Sequence, residues 1–202
     1  KLEERMTTKV VDGIHKAGYW FDYINDDVAA HWDSYDYDAI LLIECERMPI
    51  ETARNMKRFA EAGRMIVCKG YAPSKSCGLL GYVEHTTEVR EIFAGLCEKG
   101  QCIVTEDTLE GALQALGRCI EADVRIERHP DTIGYVHQVD GDTDIYFVSN
   151  ISNAWKDEKI TFTGQGGDFA VFDPMSAKEK PVYVVKRSST ETSVGLKFEP
   201  FQ

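Results

Sequence analysis

The chain has 202 residues, of which 43% are hydrophobic and 28% charged, and its formal net charge is -11 at pH 7. That length holds one ordinary core or two small ones, since domains run to roughly 100–150 residues. Divided at residue 122, both parts carry more Asp and Glu than Lys and Arg. An acidic surface repels phosphate backbones and anionic lipids, so neither nucleic acid nor a membrane is an expected partner. No run approaches the roughly 20 apolar residues of a membrane helix, and residue 1 is Lys, so localisation is not readable from this end.

The first part alternates helices and strands. Leu2, Met6, Val10 and Ile14 recur at four-residue spacing ahead of Gly18, which predicts an amphipathic helix over 2–17. An aromatic strand is expected from Tyr19 to Ile24. Ala39-Ile40-Leu41-Leu42-Ile43 is an apolar run of buried parallel-strand type. A helix with Pro49 in its first turn follows, carrying Ile50, Ala53, Met56, Phe59 and Ala60 on one face and closing at Gly63. Met65 to Cys68 reads as the next strand. Thr87 is a candidate cap for a helix bearing Val89, Ile92, Phe93 and Leu96 and ending at Gly100, and Cys102 to Val104 is a strand. Asp107-Thr108-Leu109-Glu110 resembles a capping box for a helix through Ile120.

The six cysteines, Cys45, Cys68, Cys77, Cys97, Cys102 and Cys119, all precede residue 122, and no C-x-x-C pair is present. Several lie in apolar periodic segments, where a thiol behaves as a small hydrophobe. Reduced thiols are the expectation, and they favour a reducing, cytoplasmic setting.

From Asp123 the helical period gives way to short alternating runs: Val124 to Glu127, Ile133 to Val139, Thr143 to Ser149, Lys159 to Thr163, Phe169 to Phe172, Val182 to Lys186 and Ser193 to Phe198. Asp140-Gly141 is a hairpin signal of the kind a type I′ turn requires. The expected fold class is α/β: a three-layer parallel-sheet domain over 1–122, then a small antiparallel β-sandwich over 123–202. A doubly wound sheet ordinarily opens with a strand, whereas this chain opens with a helix, so the first strand is expected to be missing, with an exposed sheet edge and possible homodimerisation.

Three segments carry a resemblance. Tyr37 to Ile43, Met48 to Thr52 and Phe59 to Val67 resemble the strand, proline-started helix and return strand of a glutamine-amidotransferase-like accessory domain, with Arg64 in place of a second glycine. Gly134 to Asn150 is similar to a hairpin of the form h-H-R-x-x-G-x-x-D-h-Y-F-h-x-N, with Gln138 in place of Arg. Val171 to Ala177 resembles a W-D-P-x-T-G turn, with Phe172 and Ala177 as departures. Together they resemble the C-terminal region of large bacterial glycoside hydrolases similar to the family 106 α-L-rhamnosidases. The resemblance implies a non-catalytic accessory fragment whose partner is an upstream catalytic barrel of the same polypeptide. The catalytic carboxylates and calcium site would lie in that barrel, so no catalytic residue, metal ligand or cofactor is expected here.

The residues themselves offer candidates. Cys68, at a strand end, could be an elbow nucleophile, but Ile66 is too large for the flank and no His-x-Glu follows, so a catalytic role is not expected. Glu44 and Glu46 follow a parallel strand, where ligands of open α/β sheets bind. They lie too close together in one loop for a glycosidase pair, and a solvated acidic loop ahead of a helix N-terminus is the preferred reading. A small hydrolase using the Glu44/Cys68 crevice is the remote alternative. Asp140, Asp142 and Asp144 begin like a calcium loop, but Ile145 and Ile151 break the pattern. His137 is expected to be packed with one nitrogen satisfied. The aromatic stretch Tyr19, Trp20, Phe21, Tyr23, Trp32, Tyr35 and Tyr37 reads as a contact surface for the barrel. Trp155, in a turn-like segment, is the best candidate for an exposed glycan contact, and an autonomous carbohydrate-binding module is the second functional reading.

Overall fold

The structure is a computed structural model that describes residues 7–35, 37–164 and 168–202. Its contacts divide the chain into two units. Asp22–Ile120 and residues 7–11 form the first; Asp12–Phe21 and Glu121–Gln202 form the second.

The first unit is built on a parallel three-stranded sheet of β1 (Ala39–Ile43), β2 (Met65–Lys69) and β3 (Cys102–Thr105), in that order. Ala39 pairs with Met65 and Ile66 with Cys102. Side chains alternate across the central strand. Ile66 and Cys68 enter a core with Ile40, Cys102 and the apolar faces of α3 (Ile50–Glu61) and α4 (Tyr82–Glu98), which supply Met56, Phe59, Val89 and Phe93. Val67, on the opposite face, is also fully buried, and α5 (Leu109–Cys119) contacts β2 and β3. Helices therefore cover both faces, as a parallel sheet demands.

Local chemistry accounts for the helix limits. All five residues assigned to the inner face of α3 are buried, Pro49 is its N-cap, and Gly63 follows its end at φ 89. Arg64, the departure from a double glycine, donates to the Tyr37 carbonyl just ahead of β1. Thr108 caps α5, its hydroxyl accepting from the Gly111 N–H at 3.1 Å. With Gly111 at the third helical position no acid reciprocates, so the expected capping box is a single cap. The start of α4 differs more. It begins at Tyr82 behind Gly81, and Thr87 lies inside the helix with its hydroxyl donating to Val83 O. A short helix, α2 (Asp26–Ala30), capped by Asn25, has no counterpart in the sequence reading.

The expected N-terminal helix is described as α1 (Thr8–Lys16); Leu2 and Met6 lie outside the described residues. The expected strand from Tyr19 to Ile24 does not form. Instead, Gly18 at φ 91 packs so closely on Val124 that an added Cβ would lie 1.9 Å from its carbonyl. The Val124 N–H donates to Gly18 O, and the Trp20 N–H to Asp123 Oδ2 at 2.9 Å. The backbone at the start of the segment thus bonds to Asp123 and Val124 and not to a neighbouring strand of the parallel sheet. The aromatic stretch is divided: Tyr19 is buried, Trp20 packs on the second unit's core and Trp32 meets Phe59 edge-on in the first, while Tyr23 and Tyr35 are exposed.

The second unit contains a four-stranded antiparallel sheet and two hairpins. The sheet order is β10 (Tyr183–Arg187), β11 (Glu191–Phe198), β7 (Lys156–Thr163) and β4 (Val124–Ile126). The hairpins are β5 (Ile133–Asp140) with β6 (Thr143–Asn150), and β8 (Val171–Asp173) with β9 (Lys178–Lys180), the last strand being one the sequence did not suggest. Ile133 and Tyr135 of the first hairpin share a core with Val124, Ile160, Phe162, Val194 and Phe198 of the sheet. The β5–β6 loop is Gly141-Asp142, since Asp140 pairs with Thr143. Gly141 has φ 58 while Asp142 is not left-handed, which matches a type II′ turn and not the expected type I′.

One buried charge organises this unit. The carboxylate of Glu158 on β7 is fully buried and accepts from the backbone N–H groups of Arg128, His129 and Lys159 and from His129 Nδ1, all at 2.8–3.0 Å. Glu158→Ala strands these donors and should lower unfolding stability by about 2–4 kcal/mol in urea titrations. A loss within error would show that water replaces the carboxylate. All six cysteines are free thiols, with Cys68 and Cys102 buried and Cys77 exposed. Alkylation without reductant should modify six cysteines in denaturant, and in the native protein Cys77 well before Cys68 or Cys102; a shortfall of two in denaturant would reveal a disulfide.

Candidate functional site

The carboxyl ends of the parallel strands lie at one edge of the sheet, where open α/β folds place their ligands. Lys69 ends the central strand and is 8% exposed, so its ammonium must find protein partners. It donates to Glu44 Oε1 at 3.0 Å, from the residue following β1, and to Asp107, two residues beyond β3. Glu44 sits in the left-handed region, at φ 48, with its N–H donating to Lys69 O and its carbonyl accepting from the Tyr71 hydroxyl. Burial alone would lower the Lys69 pKa, but the hydrogen bonds from Asp107 and Glu44 outweigh it and raise the value. Lys69 is therefore held as a cation, unsuited to act as base or nucleophile.

The two acids after β1 are paired separately. Glu44 is held by Lys69, and Glu46 by Lys75, so the two carboxylates turn to different cations. This replaces the expected solvated loop. Cys68 is not part of this edge: its Sγ lies 3.5 Å from Cys102 Sγ in the helix-covered core, with no exposure. Nearby, burial pushes the Cys97 thiol up to about 11, and hydrogen bonding to Cys68 with burial pushes Cys102 up further. Cys97 and Cys102 are therefore held as protonated thiols at neutral pH.

His137 is better supplied than the sequence suggested. Its Nδ1 lies 3.4 Å from Asp123 Oδ1, its Nε2 lies 2.9 Å from Asp144 Oδ1, and its ring stacks on Tyr146 with centroids 4.2 Å apart. Two carboxylates satisfy both nitrogens only of the imidazolium. Asp144 is thereby committed to His137, while Asp140 and Asp142 are exposed at the hairpin turn. Among the described residues, no group of three or more His, Cys, Asp or Glu is placed to hold a metal ion.

Trp155 stands in the β6–β7 loop and is 69% exposed. The base of that loop is Asn150, buried to 1%, whose Nδ2 donates to the carbonyls of Ala154 and Glu199 and whose Oδ1 accepts from Ser152.

Residues 4–186 match the family model of glycoside hydrolase family 106, described as alpha-L-rhamnosidase. The chain belongs to this family. Among solved structures, the family 106 chain is similar to a rhamnosidase from Novosphingobium sp. PP1Y, with TM-score 0.66 and 24% identity over 82% of the chain and 16% of that protein. It thus spans about a sixth of that structure. A second match, at TM-score 0.47 and 11% identity over 94% of the chain and 26% of that protein, is the apo exo-carrageenase GH42 of Bacteroides ovatus. A comparison with curated proteins found no match.

The family-like motifs acquire physical roles. In the Gly134 to Asn150 hairpin, His137, Asp144 and Tyr146 make the imidazole clamp, and Asn150 holds the next loop. In the Asp-Pro turn, Asp173 Oδ1 accepts from Met175 N–H, and Ala177, in the place of glycine, has φ 51. That conformation is the reason a glycine suits the position.

The clamp makes stability depend on pH. Hydrogen bonding to Asp123, opposed by burial and aided by Asp144, raises the His137 pKa above its ordinary value. Its contribution should be fully present below about pH 6.5 and be lost as pH rises through the higher folded-state value. His15, lowered by burial, acts with the opposite sign on the acid side. Comparing wild type with His137→Gln isolates the clamp: the stability gap should narrow from pH 6 upward, and a gap independent of pH would show that folding leaves the His137 pKa unshifted.

Proposed function

We propose that this chain is a non-catalytic accessory region of an α-L-rhamnosidase-like glycoside hydrolase, serving to brace a catalytic barrel elsewhere in the same polypeptide. The first unit corresponds to the amidotransferase-like α/β domain and the second to the β-sandwich. The observation that carries the reading is the Glu44–Lys69–Asp107 cluster. The charged groups at the strand ends, where a fold of this kind would house an active site, are paired with one another in an ion-pair network. Glycoside cleavage needs two carboxylates facing one bond across roughly 5–9.5 Å, whereas Glu44 and Glu46 are each held by a different lysine. Family membership and the match to about a sixth of a rhamnosidase support assignment of the catalytic work to other parts of the protein.

The isolated chain should not turn over aryl α-L-rhamnosides above the buffer rate. Saturable release of the aryl group, abolished by Glu44→Gln, would overturn the proposal and place catalysis at the strand ends.

A further inference from the structure

We infer that the β6–β7 loop and the residues packed beside it form a binding surface for a neutral saccharide, with Trp155 as the stacking ring and Phe201 and Ile151 as its apolar neighbours. The inference rests on the glycoside-hydrolase reading above and adds to it a ligand and a place.

Among several exposed apolar side chains, this group includes the exposed tryptophan. Trp155 and Phe201 are each 69% exposed and Ile151 is 61% exposed, whereas Trp20 and Trp32 pack against cores. Hydrogen bonds that require no ligand bring the backbone segments carrying the three together. The Asn150 side chain holds Ala154 O at 2.7 Å and Glu199 O at 2.8 Å, which brings the backbone preceding Trp155 beside the segment carrying Phe201. Phe201 N–H donates to Ser152 O at 3.0 Å, and Asn150 N–H to Gln202 O at 2.6 Å, closing the loop and the following segment into one ladder. A surface ordered in advance loses little entropy on binding.

The chemistry of the patch selects its occupant. Aromatic faces offer the flat, weakly negative surface against which the C–H face of a pyranose ring packs. Lys156 and Asp157 adjoin Trp155 in the chain and are polar residues of the kind that sugar hydroxyls bond to. With side chains of roughly 150–250 Å² each for the aromatics, the three exposed residues offer on the order of 400 Å², below the roughly 800 Å² per partner of a stable protein interface. A second copy also brings another net charge of -11, which opposes self-association, and the same charge disfavours acidic polysaccharides. A neutral mono- or disaccharide fits these limits.

The test titrates the whole chain with methyl 1-thio-α-L-rhamnopyranoside, whose sulfur linkage resists hydrolysis, and with cellobiose, following tryptophan emission and amide NMR shifts. At least one probe should give saturable changes centred on residues 150–157 and 199–202. Trp155→Ala and Phe201→Ala, both at exposed sites, should melt like wild type and bind roughly tenfold more weakly. Leu79→Ala, at an exposed apolar site in the first unit, should bind as wild type does. Absence of saturable binding to both probes overturns the inference, as does binding that neither Trp155→Ala nor Phe201→Ala weakens. A dimer detected by sedimentation and dissolved by Trp155→Ala would overturn it in favour of a second copy. Because the thioglycoside is not cleaved, its binding is independent of turnover; aryl-rhamnoside hydrolysis alone decides the non-catalytic reading.

Discussion

A lysine buried at the end of the central parallel strand governs the edge of the first unit. An ammonium removed from water is tolerated only when anions surround it, and the folded chain meets this requirement with one carboxylate from each neighbouring strand end. Glu44 adopts a left-handed conformation as its N–H and carboxylate both engage Lys69. Gly70, at φ 88, turns the chain away immediately after Lys69 while its N–H reaches Thr105 O. Three loops are therefore positioned by one charge. The same network pairs the strand-end acids Glu44 and Asp107 with one cation.

The second unit applies the same constraint with different groups. Glu158 gathers the turn after β4, Asn150 gathers the loop bearing Trp155, and His137 draws Asp123 and Asp144 together from separate segments. Each is a polar side chain in an apolar setting whose hydrogen-bonding capacity is filled by backbone or by charge. The antiparallel strands supply a frame, and these residues determine how the irregular segments lie on it. The exposed Trp155 is carried by an irregular segment whose base is held by the Asn150 side chain.

Elements whose signal is periodic were legible from residues alone. The inner face of α3, the limits of β1 and the β5–β6 pairing follow from patterns of 3.6 and 2, because burial of one face imposes them. Errors arose where one residue had two physically reasonable uses. Thr87 resembles a cap but bonds back to Val83 within α4. Tyr19 to Ile24 has strand composition, yet Asp123 and Val124 take up the hydrogen bonds at its start. β9 is a run of charged residues, Lys178-Glu179-Lys180, without any apolar alternation to reveal it.

The candidate sites were less legible than the fold. Glu44, Glu46, Cys68, His137 and Trp155 could all be picked out by type and position, but their settings depend on partners distant in the chain, as Cys102 is 34 residues from Cys68. Sequence by itself determined the two-part organisation of patterning, the acidic charge, the family resemblance and the main elements, because these depend on local composition and periodicity. Only the tertiary structure decided that Lys69 neutralises the strand-end acids, that His137 lies between two carboxylates and that Asn150 fixes the exposed Trp155 loop. Charge pairing and burial depend on distances through space, and those distances exist only once the chain has folded.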